Sequence, residues 1–414
     1  MNRYFSEPYV FIPPYRSRFW LRLVRPYVPL HRRLVLGLRR LEARGVAHLR
    51  DSLDRGAGML LAPNHWCMAD GLVVGSLALQ AGKYCHYLVS NHIFRRGRFH
   101  AWMIRRLGCF SVLREGTDRE ALRAGAQILA EAQRPLVVFA EGTWYRQNDR
   151  LGPLQQGAAL IAHLAARHTQ RPVVAHPVAI KYWLLADPRP ALRRRLDTLE
   201  RHLGCSPGGP RGLVGRVEAV TAAWLASQER AYLGRGLTGD ADDRRGRLLG
   251  ELLAQLEERE YGQLSAGDAM DRVRRLRGVS ARRLTSGANA PGATAAAKRL
   301  EVLMLCECLY GHSLAYLRDR PSWERVAETV QRLAETVWDE FERPVAPMGV
   351  VVEAGAAVDV RADAGPRAGA PDPREALTAC LAERVQRQLD RLAAEGPPAA
   401  WKVPAGAWGD PHAP

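Results

Sequence analysis

The sequence predicts an α/β fold in which a largely parallel central sheet is flanked by helices and interrupted by a helical insertion. From residue 59, short apolar runs alternate with amphipathic stretches, as in "GMLLAPN" followed by a helical pattern over 71–81. This alternation continues to Tyr182 and is typical of parallel strands joined by crossover helices. After Tyr182 the texture changes to long Arg/Glu/Leu-rich segments, which predict helices in an accessory layer.

These changes in composition also predict the organisation of the chain. No internal repeat is evident, and the Gly/Pro/Ala stretch "TSGANAPGATAAA" indicates a flexible linker near 285–296. The predicted parts are a basic amphipathic N-terminal helical region at 1–50, a core at 51–186, a helical insertion at 187–345, a closing strand and C-terminal helix at 346–400, and a tail at 401–414.

The formal net charge of +17 indicates anionic partners. Residues 1–50 hold eleven arginines and two glutamates among aromatic and aliphatic side chains, a composition typical of a helix at an anionic membrane surface. A basic helix docked on its own domain is the alternative. The sequence lacks zinc-ligand spacing, an aromatic RNA-binding signature and a compact helix-turn-helix pattern, so we expect no nucleic-acid partner.

The seven cysteines are scattered and no secretory signal opens the sequence, which predicts a reducing compartment without structural disulfides. The pair in "CEC" at 306–308 lacks the second pair of ligands that zinc needs, so no metal site is predicted. No run reaches the 18 or so apolar residues of a transmembrane helix. We therefore expect a cytoplasmic protein, peripheral on the inner face of the cell membrane.

The stretch "NHWCMAD" sets His65 five positions before Asp70. Residues five apart on a helix differ by about 140° and would not meet, so His65 must lie in a loop. Pro63 and Asn64 interrupt the apolar run, Asp70 is a favoured N-cap residue, and Gly82 is placed to end the helix. A carboxylate on one imidazole nitrogen makes the other a general base. A plain cap beside a loop histidine is the alternative.

Three further stretches place polar residues at strand ends: "GCFSVLR" with Arg114, "VVFAEGT" with Glu141, Gly142 and Thr143, and "HPVAIKY" with Pro177. Together with "NHWCMAD", the four stretches resemble the glycerolphosphate acyltransferase family, which includes the enzymes that acylate lysophosphatidic acid. That family shows, in this order, NHxxxxD (the HX4D motif), GxxFxxR, an apolar strand ending in EGT, and a strand containing PVAI. The resemblance covers residues 40–185 and leaves the insertion unexplained.

The resemblance implies an O-acyltransferase of phospholipid biosynthesis, with His65 as general base and Asp70 as its orienting partner. Arg114 and the Glu141-Gly142-Thr143 turn are implied to hold the phosphorylated acceptor or to shape the site, the acceptor being a lysophospholipid such as 1-acyl-glycerol-3-phosphate or a related lipid. The acyl donor is acyl-CoA or acyl-carrier protein as co-substrate, with no other cofactor. Backbone N–H groups near the helix start are expected to stabilise the oxyanion. Thioester hydrolysis by the same base, or a non-catalytic basic membrane-binding protein, are the alternatives.

One position departs from the family pattern. The family has arginine directly after EGT, whereas this chain has Trp144, and its next arginine is Arg146. Either the phosphate contact has moved to Arg146, or the acceptor is not lysophosphatidic acid. Gln155 and Gln156 likewise stand where the family tends to have Phe and a basic residue.

Overall fold

A computed structural model describes residues 9–114, 118–143, 147–206, 212–285, 293–340, 342–361, 372–403 and 408–411. The chain forms two compact units. The sheet unit comprises Tyr9–Trp183 and Met348–Lys402, and the helical unit comprises Leu184–Pro347 with the chain ends. Each unit has a core of its own.

The sheet unit is built on an eight-stranded, mostly parallel sheet, which confirms the predicted fold class. Its strands are β1 (Leu38–Arg44), β2 (Gly58–Pro63), β3 (His86–Ser90), β4 (Cys109–Val112), β5 (Leu136–Val137), β6 (Val173–Leu184), β7 (Met348–Ala354) and β8 (Val358–Asp359). Their order is β1-β7-β6-β2-β5-β3-β4. Strands β6, β2, β5, β3 and β4 run parallel to one another, and β1 runs parallel to β7. Strand β8 is antiparallel to β6, and the bonds from the Gly355 N–H to the Pro177 carbonyl and from the Leu185 N–H to the Pro347 carbonyl give β7 the same antiparallel direction. The carboxyl ends of β2, β3, β4, β5 and β6 therefore meet at one edge.

Helices cover both faces of this sheet. They are α1 (Phe19–Val24), α2 (Val28–Leu34), α3 (Val46–Asp54), α4 (Asp70–Gln80), α5 (Asn91–Phe94), α6 (Arg98–Arg106), α7 (Arg119–Glu131), α8 (Gly157–His168) and α16 (Pro373–Glu395). Every residue of β2 and β6 is buried, as the continuous apolar runs predict for central parallel strands. Asp118 caps α7 by accepting from the Ala121 N–H at 2.9 Å.

The two chain ends differ from expectation. Residues 38–44 were expected within a helical region but form β1, a strand that pairs with β7. Its apolar residues are few and the exposed Arg39 and Arg40 suit a sheet edge, so the segment carries no alternating strand signal. Trp401, expected in the tail, packs edge-on against Trp183 with ring centroids 5.9 Å apart. Parts of the tail, 404–407 and 412–414, lie outside the described residues.

The helical unit contains α9 (Arg189–His202), α10 (Leu213–Leu233), α11 (Ala241–Tyr261), α12 (Ala269–Thr285), α13 (Ala293–Gly311), α14 (Ala315–Asp319) and α15 (Trp323–Trp338). Most of the predicted linker, 286–292, lies outside the described residues, and Ala293 already begins α13. By length and composition, one helical stretch of the described chain, Thr294–Asp319, could cross a membrane. More than half of its most apolar window is buried inside the protein, as in a core helix.

A repeat of 28 positions runs through this unit, so the expectation of no internal repeat is wrong. Glu229 accepts from Arg244 at 2.8 and 2.9 Å and from the Leu237 N–H at 3.0 Å. Glu257 accepts in the same way from Arg272 at 2.7 to 3.2 Å and from the Ser265 N–H at 3.2 Å. Each glutamate stands near the end of one helix and each arginine on the next.

The turns of the two repeats match as well. Gly234 and Gly262 end α10 and α11 with φ of 70° and 68°, and Gly239 and Gly267 follow with φ of 109° and 113°. These left-handed positions favour glycine because it has no Cβ. The repeat is not evident from the sequence, because the two copies share few positions and the surrounding residues are uniformly rich in Arg, Glu and Leu.

Glu229→Ala should destabilise the helical unit strongly. The Glu229 side chain is fully buried, and its removal leaves the Arg244 guanidinium and the Leu237 N–H without their acceptor. Breaking a buried ion pair in this way costs about 3–5 kcal/mol of unfolding free energy. Chemical denaturation followed by circular dichroism would measure this loss.

Glu383→Ala provides the matched control, because Glu383 pairs with Arg387 on the exposed face of α16. Its unfolding free energy should stay within about 0.5 kcal/mol of wild type. Equal losses in the two variants would contradict a structural role for the repeated ion pair.

Candidate active site

His65 and Asp70 are brought together at the carboxyl end of β2. The strand ends at Pro63, residues 64–69 form a turn, and α4 begins at Asp70. The His65 Nδ1 lies 2.8 Å from Asp70 Oδ2, with the histidine side chain 22% exposed and the aspartate fully buried. Since a carboxylate only accepts, Nδ1 carries the proton, and Nε2 is the basic nitrogen of the neutral ring.

The Asp70 carboxylate organises the turn that precedes its helix. Its Oδ2 also accepts from the backbone N–H groups of Trp66 at 2.6 Å and Cys67 at 2.8 Å. The predicted N-cap role is wrong: Ala69 is the N-cap residue, and Asp70 is the first residue of α4. The carboxylate folds back onto the turn because that turn offers two N–H groups and an imidazole. These two N–H groups are therefore held by Asp70 and do not form an oxyanion site in this arrangement.

Tyr182 on β6 completes the surroundings of Asp70. Its hydroxyl donates to Asp70 Oδ1 at 2.6 Å, and its ring lies against that of Trp66, with centroids 4.6 Å apart. Burial, with Asp70 and Cys67 beside it, holds the pKa of Tyr182 well above its usual value, so the hydroxyl keeps its proton. Tyr182 thus donates to the carboxylate throughout the neutral pH range.

Asn64 ties the same turn to the sheet. Its side-chain amide donates to the Ile180 carbonyl at 3.0 Å and accepts from the Ile180 N–H at 2.7 Å, across β2 and β6. Phe139 stacks on the His65 ring with centroids 4.1 Å apart and planes 28° apart. The imidazole is therefore fixed on one nitrogen by Asp70 and on one face by Phe139.

Glu141 is buried and turned toward the protein backbone. Its Oε1 accepts from the His65 N–H at 2.6 Å and its Oε2 from the Gly152 N–H at 2.8 Å. Burial raises the pKa of the Glu141 carboxyl to about 8, although the two backbone donors act against the rise. Glu141 therefore joins the backbone of the His65 turn to the loop that follows "EGT".

Gly142 and Arg114 meet beside this carboxylate. Gly142 has a φ of 70°, a left-handed conformation that favours glycine, and a Cβ there would displace the Gln155 side-chain amide. The Arg114 guanidinium donates to the Gly142 carbonyl through Nη1. Gln155 in turn donates its backbone N–H to the Ala140 carbonyl at 2.7 Å. The second and third motifs are thereby in direct contact.

The other residues singled out in the sequence are described only in part. Thr143 is partly buried at the end of the same turn. Trp144 and Arg146 lie outside the described residues. Within the described parts of the chain, no group of three or more His, Cys, Asp or Glu has an arrangement that could hold a metal ion.

Tyr182, Phe139 and Asn64 were not predicted as site residues. Each has a weak signal in the sequence: Asn64 precedes His65, Phe139 lies two positions before Glu141, and Tyr182 lies two positions after Ile180. The period of two along a strand directs alternate side chains to the same face, so Tyr182 shares a face with Ile180. Which segment of the chain lies close to that face depends on the order of the strands in the sheet, and the sequence does not give this order.

Replacing Glu141 by Gln should change how thermal stability depends on pH. From about pH 5 to about pH 8 the folded chain keeps the Glu141 proton, whereas the unfolded chain has released it. The Glu141 carboxyl therefore lowers the free energy of unfolding increasingly as pH rises through that range. The midpoint of thermal unfolding of Glu141→Gln should therefore rise relative to that of wild type as pH increases through this range. Above the range the difference between the two midpoints should stay constant. Thermal unfolding of both proteins at matched ionic strength measures this, and a constant difference at every pH would contradict it.

Comparison with protein-family models matches residues 44–181 to the family described as Acyltransferase. No curated protein matches the chain. The matched segment runs from the last residue of β1 into β6 and contains all four motifs, so recognition of the family from these motifs is confirmed. Residues 44–181 therefore form an acyltransferase domain of the glycerolphosphate acyltransferase family.

Proposed function

We propose that this acyltransferase moves a fatty acyl chain from an acyl thioester, acyl-CoA or acyl-carrier protein, to the hydroxyl of a lysophospholipid. The observation that carries the proposal is the 2.8 Å contact between His65 Nδ1 and buried Asp70, inside the segment that matches the family. It supplies a neutral imidazole with a fixed tautomer, which is what removal of a hydroxyl proton requires. The product is a phospholipid with one more ester.

The reaction proceeds by direct attack of the acceptor. His65 Nε2 takes the proton of the acceptor hydroxyl as its oxygen forms a bond to the thioester carbonyl carbon. The C–S bond of the tetrahedral intermediate then breaks, and the departing sulfur takes the proton from the imidazolium. Asp70 offsets the positive charge that the ring carries between these two transfers. The products are the ester and a free thiol, and no covalent enzyme intermediate is needed.

Tyr182 and Glu141 support this chemistry from outside the reacting atoms. The Tyr182 hydroxyl donates to the Asp70 carboxylate and holds it in the orientation that meets Nδ1, and Glu141 holds the His65 backbone. Both act through another residue and are positioning residues. Loss of a positioning contact should lower the rate constant of acyl transfer more than it changes the Michaelis constant.

For the acceptor we propose a phosphorylated lysolipid such as 1-acyl-glycerol-3-phosphate. Arg114, beside the Glu141-Gly142-Thr143 turn, is the residue that would meet the phosphate, because guanidinium recognises phosphate through two parallel hydrogen bonds. Arg146 stays a predicted second contact. Glu141 and Gly142 shape the turn, and Glu141 is acceptor-only when ionised, so a direct contact with phosphate does not suit it.

His65→Ala should abolish transfer while the fold remains intact. Removal of a general base costs about 10²–10⁴-fold in rate, and here the orienting Asp70 would also lose its partner. The assay follows thiol release and acylated lipid by mass spectrometry, with acyl-CoA and acyl-carrier protein each tested against a panel of lysolipids. His168→Ala, at an exposed position on α8, is the matched control and should retain wild-type rates.

The same assay separates transfer from hydrolysis. Free fatty acid with every acceptor, and no acylated lipid, would show that water is the acceptor and would contradict the transferase. Wild-type rates in His65→Ala would contradict the assignment of the base.

A further inference from the structure

The outer face of α1, of α2 and of the 3₁₀ turn Arg25–Tyr27 between them carries an apolar stripe that is exposed in the described chain. Five residues recur at intervals of three or four positions, which places them on one side of a helix. They are 49–70% exposed: Phe19, Leu23, Tyr27, Leu30 and Leu34. We call these five residues the outer stripe.

The opposite side of the same two helices is also apolar. Leu21, Val24 and Val28 are partly buried there, whereas the outer stripe is turned to solvent. Neither helix has a fully buried residue. A helix that is apolar on both sides, with only one side in contact with protein, requires a second nonaqueous neighbour for its free side.

Helix α6 extends the patch. Trp20 on α1 contacts Trp102 on α6 with centroids 4.8 Å apart, and Phe19 lies against Trp20 at 5.4 Å. Phe99, 74% exposed, stacks along Trp102 at 5.9 Å. The rings join the outer stripe to α6 and form one continuous aromatic and aliphatic surface.

This surface also reaches the catalytic turn. Met68, between His65 and Asp70, is exposed, and its sulfur lies 3.4 Å from the Arg96 guanidinium just before α6. Arg96 therefore links exposed Met68, at the rim of the site, to the segment that leads into α6.

The charged side chains of the two segments that carry α1, α2 and α6 are all basic. The sequence has no aspartate or glutamate over 9–41 or over 91–108. Arg22 and Arg33 flank the outer stripe on one side by helical spacing, and Arg95, Arg96 and Arg98 lie at the α6 end. An apolar centre bordered by arginines matches the acyl boundary and the phosphates of an anionic bilayer.

We propose that the outer stripe, with Phe99, Trp102 and Met68, is a docking surface for an anionic phospholipid bilayer. A second copy of the chain fits less well, because a face-to-face dimer would bring two arginine borders together. Docking in this way sets the rim of the His65 turn at the lipid surface, where an acceptor enters from the bilayer without crossing water. The docking proposal does not depend on the proposed function, whereas the delivery of an acceptor to His65 rests on it.

Flotation of the full chain with vesicles tests the surface. Wild type should float with phosphatidylcholine vesicles containing phosphatidylglycerol, and much less with phosphatidylcholine alone or at high salt. Leu23→Glu with Leu30→Glu should lower binding to the anionic vesicles at least about tenfold, because two exposed leucines that enter the acyl boundary on docking become charged. Arg22→Gln with Arg33→Gln should reduce the preference for anionic vesicles.

Leu264→Glu is the matched control, since Leu264 is 62% exposed on the helical unit and should leave flotation unchanged. Unfolding midpoints of all variants should equal that of wild type, because the outer stripe contributes no buried side chain. Wild-type flotation of the Leu23→Glu, Leu30→Glu variant would overturn the proposal. So would a dimer of wild type that this variant dissociates, without vesicle binding by either protein.

Activity separates this proposal from the proposed function. On a short-chain lysolipid dispersed as monomers, the Leu23→Glu, Leu30→Glu variant should match wild type, and on vesicle-embedded acceptor it should be at least about tenfold slower. If no acyl transfer is found with any acceptor, the flotation result still decides whether the surface docks. Equal loss on both acceptors would contradict a docking role.

Discussion

The site depends on one buried carboxylate. Asp70 is fully enclosed, and its charge is stabilised by the His65 imidazole, two backbone N–H groups of the turn and the Tyr182 hydroxyl. Burying a carboxylate is favourable only when its oxygens are hydrogen-bonded, so these donors and the charge require one another. The same contacts fix the turn, the tautomer of His65 and the start of α4. The conformation of the turn and the tautomer of His65 therefore both depend on the hydrogen bonds around Asp70.

The strand order explains why four motifs scattered along the chain act together. β2 lies between β6 and β5 in the sheet. In the turn after β2, Asn64 bonds to Ile180 of β6 on one side, and the His65 N–H bonds to Glu141 of the "EGT" turn on the other. Arg114 follows β4 and reaches the same turn through the Gly142 carbonyl. Because the strands are parallel, all of these segments leave the sheet at one edge. The order of the motifs in the sequence is the order in which the chain visits this edge.

The sequence predicted what depends on local pattern and missed what depends on neighbours. Alternating apolar runs predicted the parallel sheet, and the motifs predicted the pairing of His65 with Asp70. β1 was missed because its edge position requires few apolar residues, and the N-cap role of Asp70 was wrong because the preceding turn competes for the carboxylate. Tyr182 could not be assigned since its contact crosses 112 residues of chain. The Glu229 and Glu257 repeat rests on equivalent hydrogen bonds between successive helices, which the sequence does not show.

The most direct test of this arrangement is the position of the proton on His65. Nitrogen NMR of protein labelled in its histidine rings, assigned with His65→Ala and recorded where the ring is neutral, reads that position from the two ring-nitrogen shifts. We expect a protonated Nδ1 and an unprotonated Nε2 in wild type, and loss of that preference in Asp70→Asn. A proton on Nε2 in wild type would contradict the assignment of His65 as a base oriented by Asp70.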